Sequence, residues 1–273
     1  EITIVTGVQT CALPIYTTFD TIGTTEKPDV VASKLLEGKI AIIVDGTPFV
    51  ITAPYFFIDN FQTPDDYYSN VYFANASRLM RVVSFFAASL LSGLYLSIAT
   101  YHFSIIPSVL AVKFTMSRAD VPLPTVIELL LMTFFFQLLR EAGIRLPQSI
   151  GQAMSIVGAL ILGDAVVGVG LASQSTVVIV ALSSISSFLV PKLYGALSIW
   201  NIVIIIFSSV LGLPGFYIGF FIFIAHMAGL ESCGYPYLFP MGTLESFKFK
   251  DVLYRKDLNK ISNSIFDEDD YNE

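Results

Sequence analysis

Glu128 is an acid in apolar company. It lies one turn inside Val126–Leu139, an apolar stretch followed directly by Arg140-Glu141. Asp164 is a second such acid, within the apolar run Ser149–Val169. A carboxylate among aliphatic side chains is costly to ionise, so it coordinates a cation, lines a water-filled path or meets an opposite charge. Glu128 and Asp164 are therefore the candidate ion path. Two blander readings stand beside this one. Glu128 pairs with a nearby arginine or lies at an interface with water, and Asp164, beside Gly163 and Gly168, ends a shorter helix near water. Arg140, Glu141 and Arg145 cluster before Pro147 and are candidate structural ion pairs or interfacial anchors. His226 is expected at an interface, because no set of His and Cys accompanies it as a ligand group.

Several chemistries are excluded by what such chemistries need. There is no hydrolase elbow, Walker loop, zinc-binding helix motif or dinucleotide fingerprint. The 18 glycines are dispersed in apolar runs and turns, with no phosphate-cradling loop. The expectation is a chain that is not an enzyme, with no catalytic residue, cofactor or metal. Cys11 and Cys233 give neither a disulfide framework nor a metal cluster. No basic tract suits nucleic acid.

The elements that must position these residues follow from the solvent. Hydrophobic residues make up 54% of the chain and charged residues 14%, against roughly a quarter charged in ordinary soluble domains. The deficit lies in the middle, in Val82–Thr100, Ser149–Val169, Ser173–Val190 and Leu197–Leu230. About twenty such residues span a hydrocarbon core of roughly 30 Å, and in lipid the backbone satisfies itself by forming helices. The fold class is mainly α, a polytopic helical membrane bundle of 4–6 membrane segments preceded by the end of a small α/β soluble domain. Arg78 and Arg81 before the first block, and Lys248, Lys250, Arg255, Lys256 and Lys260 after the last, place both ends on the cytoplasmic side. The number of crossings is then even. It is four from the four blocks. It is six if Val126–Leu139 crosses and Gly212-Leu213-Pro214-Gly215 breaks the last block into two helices. Gly151, Ser155, Gly158 and Gly163, and Ser183, Ser184, Ser186 and Ser187, suit close helix contacts within the chain or between subunits.

The ends read differently. Residues 1–16, EITIVTGVQTCALPIY, fit poorly with the rest of the chain and are expected to be a non-native leader; a native strand ending at Pro14 is the alternative. No cleavable signal peptide is evident. Residues 17–78 read as the end of the soluble domain. Thr25 is a candidate cap for a short helix with Pro28 in its first turn and Gly38 at its stop. Ile40–Val44 and Pro48–Thr52 flank Asp45-Gly46, a hairpin signal. Gln62-Thr63-Pro64-Asp65-Asp66-Tyr67-Tyr68 begins another short helix near the membrane surface, with Thr63 as its candidate cap. Residues 79–230 form the transmembrane domain. Residues 231–273 are a cytoplasmic tail with an acidic, disordered end at Asp267-Glu268-Asp269-Asp270, a large part of the net charge of −7.

These motifs, in this order, resemble the A subunits of spore germination receptors, the GerA family. The likeness is carried by Thr25-Glu26-Lys27-Pro28-Asp29, Leu35-Leu36-Glu37-Gly38-Lys39, Val44-Asp45-Gly46-Thr47-Pro48-Phe49 and Asp65-Asp66-Tyr67-Tyr68. It continues through Leu139-Arg140-Glu141-Ala142-Gly143-Ile144-Arg145-Leu146-Pro147, Ile150-Gly151-Gln152-Ala153, Ser155–Leu160 and Gly234-Tyr235-Pro236-Tyr237-Leu238-Phe239-Pro240. It spans about Thr17 to Arg255. The resemblance implies a subunit of a nutrient-sensing receptor in the inner membrane of the bacterial endospore. It implies partners, namely a transporter-like B subunit, a lipoprotein C subunit and further copies of itself, which oligomerise into a nutrient-gated ion channel. A secondary transporter and a non-conducting membrane scaffold are the alternatives.

Overall fold

In the computed structural model, residues 17–145, 147, 158 and 161–241 are described. The chain divides into two compact units. One comprises residues up to Val82 and from Ile224 onward; the other is Val83–Phe223.

The first unit is a small α/β fold. Strand β1 (Gly23–Thr25) precedes helix α1 (Pro28–Leu36), then β2 (Ile40–Ile43) and β3 (Val50–Ala53), in an antiparallel sheet of order β1-β3-β2. The expected hairpin is present, but its ladder closes at Ile43↔Val50 rather than at the Asp45-Gly46 turn. Gly46 takes a φ of 83° and its N–H is held by the Asp45 carboxylate at 2.9 Å. Pro48, two residues on, has no N–H to extend the ladder. Thr25 is not the cap of α1; its hydroxyl accepts the Lys27 N–H just upstream at 3.2 Å. Gly38, at φ 82°, ends α1, and Lys39 N–H returns to the Lys34 carbonyl.

Two buried carboxylates organise this unit. Asp59 accepts from both Lys34 (2.7 Å) and Lys39 (2.7 Å), and its Oδ2 also takes the Phe56 N–H at 2.8 Å. Burial pushes the Asp59 carboxyl up, but the two ammonium charges outweigh it and hold it at about 2. Burial likewise lowers Lys39. It also opposes the charge on Lys34, where Asp59 and Glu37 prevail and raise it. Asp66, in the short helix α2 (Asp65–Tyr68), is clamped by Arg81 through two 2.7 Å bonds and by Arg78 Nε at 3.1 Å. Its Oδ2 also accepts the Thr63 N–H at 3.2 Å. Thr63 was expected to cap α2 with its own hydroxyl; the side chain that caps is Asp66, reaching back. Burial raises the Asp66 carboxyl, and the Arg81 and Thr63 hydrogen bonds bring it down to about 2.

Residues beyond the last helix belong to the same unit. Strands β4 (Glu231–Ser232) and β5 (Tyr235–Pro236) pair, and Tyr237 behind them is fully buried. The Tyr237 carbonyl accepts the Phe57 N–H at 2.9 Å and its hydroxyl accepts from Asn60. Ser232 Oγ donates to the Thr21 carbonyl at 2.6 Å and accepts the Tyr55 N–H.

The second unit is helical. Helix α3 (Val71–Tyr101) begins in the first unit and runs into the second; α4 (Ser108–Arg118), α5 (Thr125–Arg145), α6 (Gln174–Phe188), α7 (Tyr194–Leu211) and α8 (Leu213–Ala228) come after it. Side-chain contacts give the directions. Glu128 meets Ser173 and Arg140 meets Ser187, so α5 and α6 run parallel. Tyr95 meets Ser175 and Ser183 meets the Ala88 carbonyl, so α3 is antiparallel to α6. The core joins Tyr95 and Leu96 with Leu129, Met132, Val180 and Ile205. Gly93 lets α3 approach α7 closely: a Cβ there would come 2.6 Å from Ile204.

The last apolar block is two helices rather than one kinked helix. Gly212 (φ 67°, ψ −135°) turns the chain, and Phe223 returns to Trp200 with ring centroids 5.1 Å apart. Among the described residues, Val71–Tyr101 and Pro191–Leu211 are long and apolar enough to cross a membrane. Gln174–Phe188 and Leu213–Ala228 are apolar but shorter, about 22–24 Å at 1.5 Å per residue. Four to six crossings were expected, and these two helices meet the length. Of the Ser149–Val169 block, residues 149–157, 159 and 160 lie outside the described residues. Val178, Leu182 and Ile185 point outward along one face of α6, each more than half exposed.

Candidate functional site

Glu128 occupies the first turn of α5, where its N–H is taken by the Pro124 carbonyl at 3.1 Å. Its side chain is fully buried. What buries it is the start of α6. Ser173 caps that helix, its hydroxyl accepting the Thr176 N–H at 3.3 Å. The Ser173 N–H has no partner inside its own helix, as at any helix start. It donates to Glu128 Oε2 at 3.0 Å. The same oxygen accepts from Ser173 Oγ at 3.0 Å and from Thr176 Oγ1 at 2.9 Å. A negative charge at a helix N-terminus is also favoured by the helix dipole.

The other oxygen is engaged differently. Glu128 Oε1 is buried with no hydrogen-bond donor, and Arg118 Nη2 stands 3.7 Å away. The Arg118 Nε is buried without an acceptor too. Hydroxyls extend outward from the carboxylate: Ser175 Oγ lies 3.0 Å from Tyr95 OH and 3.3 Å from Ser117 Oγ. Four helices thus contribute to one site: α3 through Tyr95, α4 through Ser117 and Arg118, α5 through Glu128 and α6 through its first turn. Chemically this is a charge pair joined to a helix cap. One carboxylate oxygen is saturated with donors; the other keeps a free acceptor facing a guanidinium.

The other sequence candidates are not gathered here. Asp164 lies in a π-helical turn, Ile161–Ala165, and is exposed. Glu141 and Arg145 pair at 2.7 Å on the surface of α5, 78% and 52% exposed for Arg145 and Glu141. Arg140 turns away from that pair. Its Nη1 donates to Ser187 Oγ at 2.7 Å, and its guanidinium lies 3.3 Å from the centre of the Tyr194 ring. His226 Nε2 lies 3.3 Å from Thr17 Oγ1 and its ring is 6.0 Å from Phe19, in the first unit.

Sequence reasoning missed Arg118 as the partner of Glu128, and it missed the hydroxyl lining. A signal was present: Ser173-Gln174-Ser175-Thr176 is an N-cap sequence, and a buried acid is drawn to such an end. It also missed the Asp59 and Asp66 networks, whose lysines and arginines lie 12 to 25 residues away.

The class is a mainly helical chain with two helices long and apolar enough to cross a membrane, a polar site buried in the helical unit, and a separate small α/β unit. Comparison with known proteins supplies the family. The family model for the Bacillus/Clostridium GerA spore germination protein matches residues 9–264, and the chain belongs to that family. It is 44% identical to spore germination protein KA of Bacillus subtilis (strain 168) over 88% of its length, which is 44% of that protein. It is 40% identical to spore germination protein GerQA of Bacillus cereus over 85% of its length, 47% of that protein. Similarity also extends to the uncharacterized membrane protein YfkQ of Bacillus subtilis (strain 168), at 38% identity over 88% of this chain and 47% of that protein. The chain spans less than half the length of these relatives. No solved structure matches it.

Proposed function

We propose that this chain is the membrane-embedded part of an A-type subunit of a spore germination receptor, not an enzyme, seated in the inner membrane of the endospore. Its partners in this reading are a transporter-like B subunit, a lipoprotein C subunit and further copies of itself. Nutrient binding elsewhere in the assembly shifts the bundle between closed and conducting states, through contacts that differ between the two. The observation that carries the reading is the Glu128 site. A buried carboxylate joined to Arg118 and to the first turn of α6 is a polar centre inside a bundle whose outer faces are apolar. Such centres mark ion pathways or switching elements in membranes. Glu128 is the leading ion-path residue through Oε1, which faces Arg118 and carries no hydrogen bond among the described residues, and Asp164 is second through its exposure.

The helix directions support six crossings. Helix α3 goes out and α5 returns. Helix α6 runs parallel to α5, and six is the even count that the apolar blocks of the sequence allow with α7 and α8 as separate helices. Then α6 returns, α7 goes out and α8 returns. Arg78, Arg81, Arg145 and Lys192 fall on the side of entrance, against Lys113 and Arg118 on the other. Under the positive-inside rule that side is the cytoplasm, here the spore core.

Reconstitution of the purified full-length subunit in lipid vesicles tests the function. The channel reading expects ion conductance without coupled solute uptake. Saturable solute accumulation makes it a transporter, and an intact oligomer that conducts nothing with its partners and nutrient present makes it a scaffold.

A further inference from the structure

Between α5, α6 and α7 lies a cavity of about 330 Å³ that the Glu128 site does not use. That is the lower end of the roughly 300–1,000 Å³ range of small-molecule sites. Its walls are apolar, formed by Ala88, Phe136, Val177, Ala181 and Leu197. Its two ends are not. At one end stands Arg140, its guanidinium face on Tyr194 (3.3 Å) and Phe188 (4.6 Å), one N–H on Ser187. Among the described residues no carboxylate lies within ion-pair distance of it. Glu141, its neighbour in sequence, is taken by Arg145. At the other end, seven residues back along α5 and seven onward along α7, Thr133 Oγ1 and Asn201 Oδ1 are buried with no hydrogen-bond partner among the described residues. Seven helical residues are about 10 Å.

A guanidinium fixed by stacking, with no counter-charge among the described residues and facing an apolar chamber, calls for an anion. Arginine presents a planar fork of donors that matches a carboxylate or phosphate. Buried polar atoms without partners call for a donor at the opposite end. We propose that this cavity binds a small amphipathic anion. A carboxylate, or the phosphate of a lipid headgroup, sits on Arg140; an apolar body lies along Ala88, Val177 and Ala181; and a terminal hydroxyl reaches Asn201 and Thr133. An eight-carbon chain matches the length. Neither the conduction reading nor the Glu128 site is needed for this binding, so the two stand or fall separately.

The test is equilibrium binding of radiolabelled 8-hydroxyoctanoate, octanoate and octanol to the full-length subunit in dodecyl maltoside micelles, whose headgroups carry no phosphate. The expected result is saturable binding in the order 8-hydroxyoctanoate, octanoate, octanol. Losing the charge, by octanol or by Arg140→Gln, weakens binding about tenfold or more, the scale of one charged hydrogen bond. Arg140→Lys keeps part of it, and Ala181→Phe, which fills the chamber, abolishes it. Asn201→Leu removes the advantage of the hydroxyl and leaves octanoate unchanged. Micelles supplemented with phosphatidylglycerol separate the sources. Suppressed octanoate binding there assigns the site to a lipid headgroup, and unchanged binding assigns it to a free carboxylate. The proposal is overturned if octanoate does not saturate on folded protein, or if it binds octanol and octanoate, or wild type and Arg140→Gln, equally well.

Discussion

Glu128 Oε2 accepts the backbone N–H of Ser173 at 3.0 Å across 45 residues of sequence. The bond ties the first turn of α5 to the first turn of α6, so the two helices start at one level and run parallel. Replacing the side chain tests this tie in two ways. Glu128→Ala leaves the Ser173 N–H without its acceptor and Arg118 without its counter-charge. It lowers stability by about 2 kcal/mol, read as a drop in the melting midpoint of detergent-solubilised protein. Glu128→Gln keeps a carbonyl oxygen for Ser173, removes the charge and puts an NH2 group where Oε1 faces Arg118. It is expected to accumulate at the normal level and to slow nutrient-triggered cation release from spores. Normal release at normal protein level takes Glu128 out of the path.

Glu128 Oε2 meets Ser173 twice, through its backbone N–H and its hydroxyl, each at 3.0 Å. A double-mutant cycle of Glu128→Gln and Ser173→Ala should give an interaction energy of about 1 kcal/mol. Additive effects would mean that the cap of α6 forms without the carboxylate.

Much of this arrangement was legible in the sequence, for reasons that can be named. Apolar blocks declare helices because lipid and helix cores impose the same composition. Asp45-Gly46 and Gly38 declare turns because few residues take a positive φ. Glu128 stood out because acids are rare among aliphatic neighbours. What the sequence hid is pairing at a distance. Nothing local tells Asp59 that Lys34 and Lys39 will face it, or Asp66 that it will receive Arg78 and Arg81 from a later helix. The parallel course of α5 and α6 was hidden for the same reason. It is fixed by Arg140 reaching Ser187, and sequence had assigned that arginine to its neighbour Glu141.

Acid should loosen the first unit through Asp59. Its folded carboxyl stands at about 2, below the ordinary value of about 3.9 that it regains when unfolded. The stabilisation from its two lysines is therefore complete above about pH 4 and is lost as pH falls through 2. Asp59→Asn removes the titrating group. Its protease resistance should be lower at neutral pH and should fall less steeply between pH 4 and pH 2 than that of the wild type. Parallel curves would contradict the assignment.

Close approach of α3 to α7 depends on Gly93. An added Cβ would meet Ile204 at 2.6 Å and Ser208 Oγ at 3.1 Å. Gly93→Ala should cost about 1–3 kcal/mol by overpacking, measured by thermal melting, and Ile204→Ala in the same chain should recover part of the loss. Gly163, whose added Cβ meets nothing within 4 Å, serves as the control. Gly163→Ala should leave the melting midpoint unchanged.

The account rests on a helical bundle that lies in lipid and crosses it an even number of times. Two exposed positions lie on opposite sides in that arrangement: Asp120, between α4 and α5, and Lys192, between α6 and α7. The direct measurement is labelling of single cysteines by a membrane-impermeant maleimide, with the full-length subunit expressed in a bacterial inner membrane and Cys11 and Cys233 replaced by serine. Asp120→Cys should react from outside intact cells, and Lys192→Cys should react only after the membrane is opened. Reaction of both from one side, or recovery of the protein in the soluble fraction, would contradict the bundle and the conduction pathway built on it.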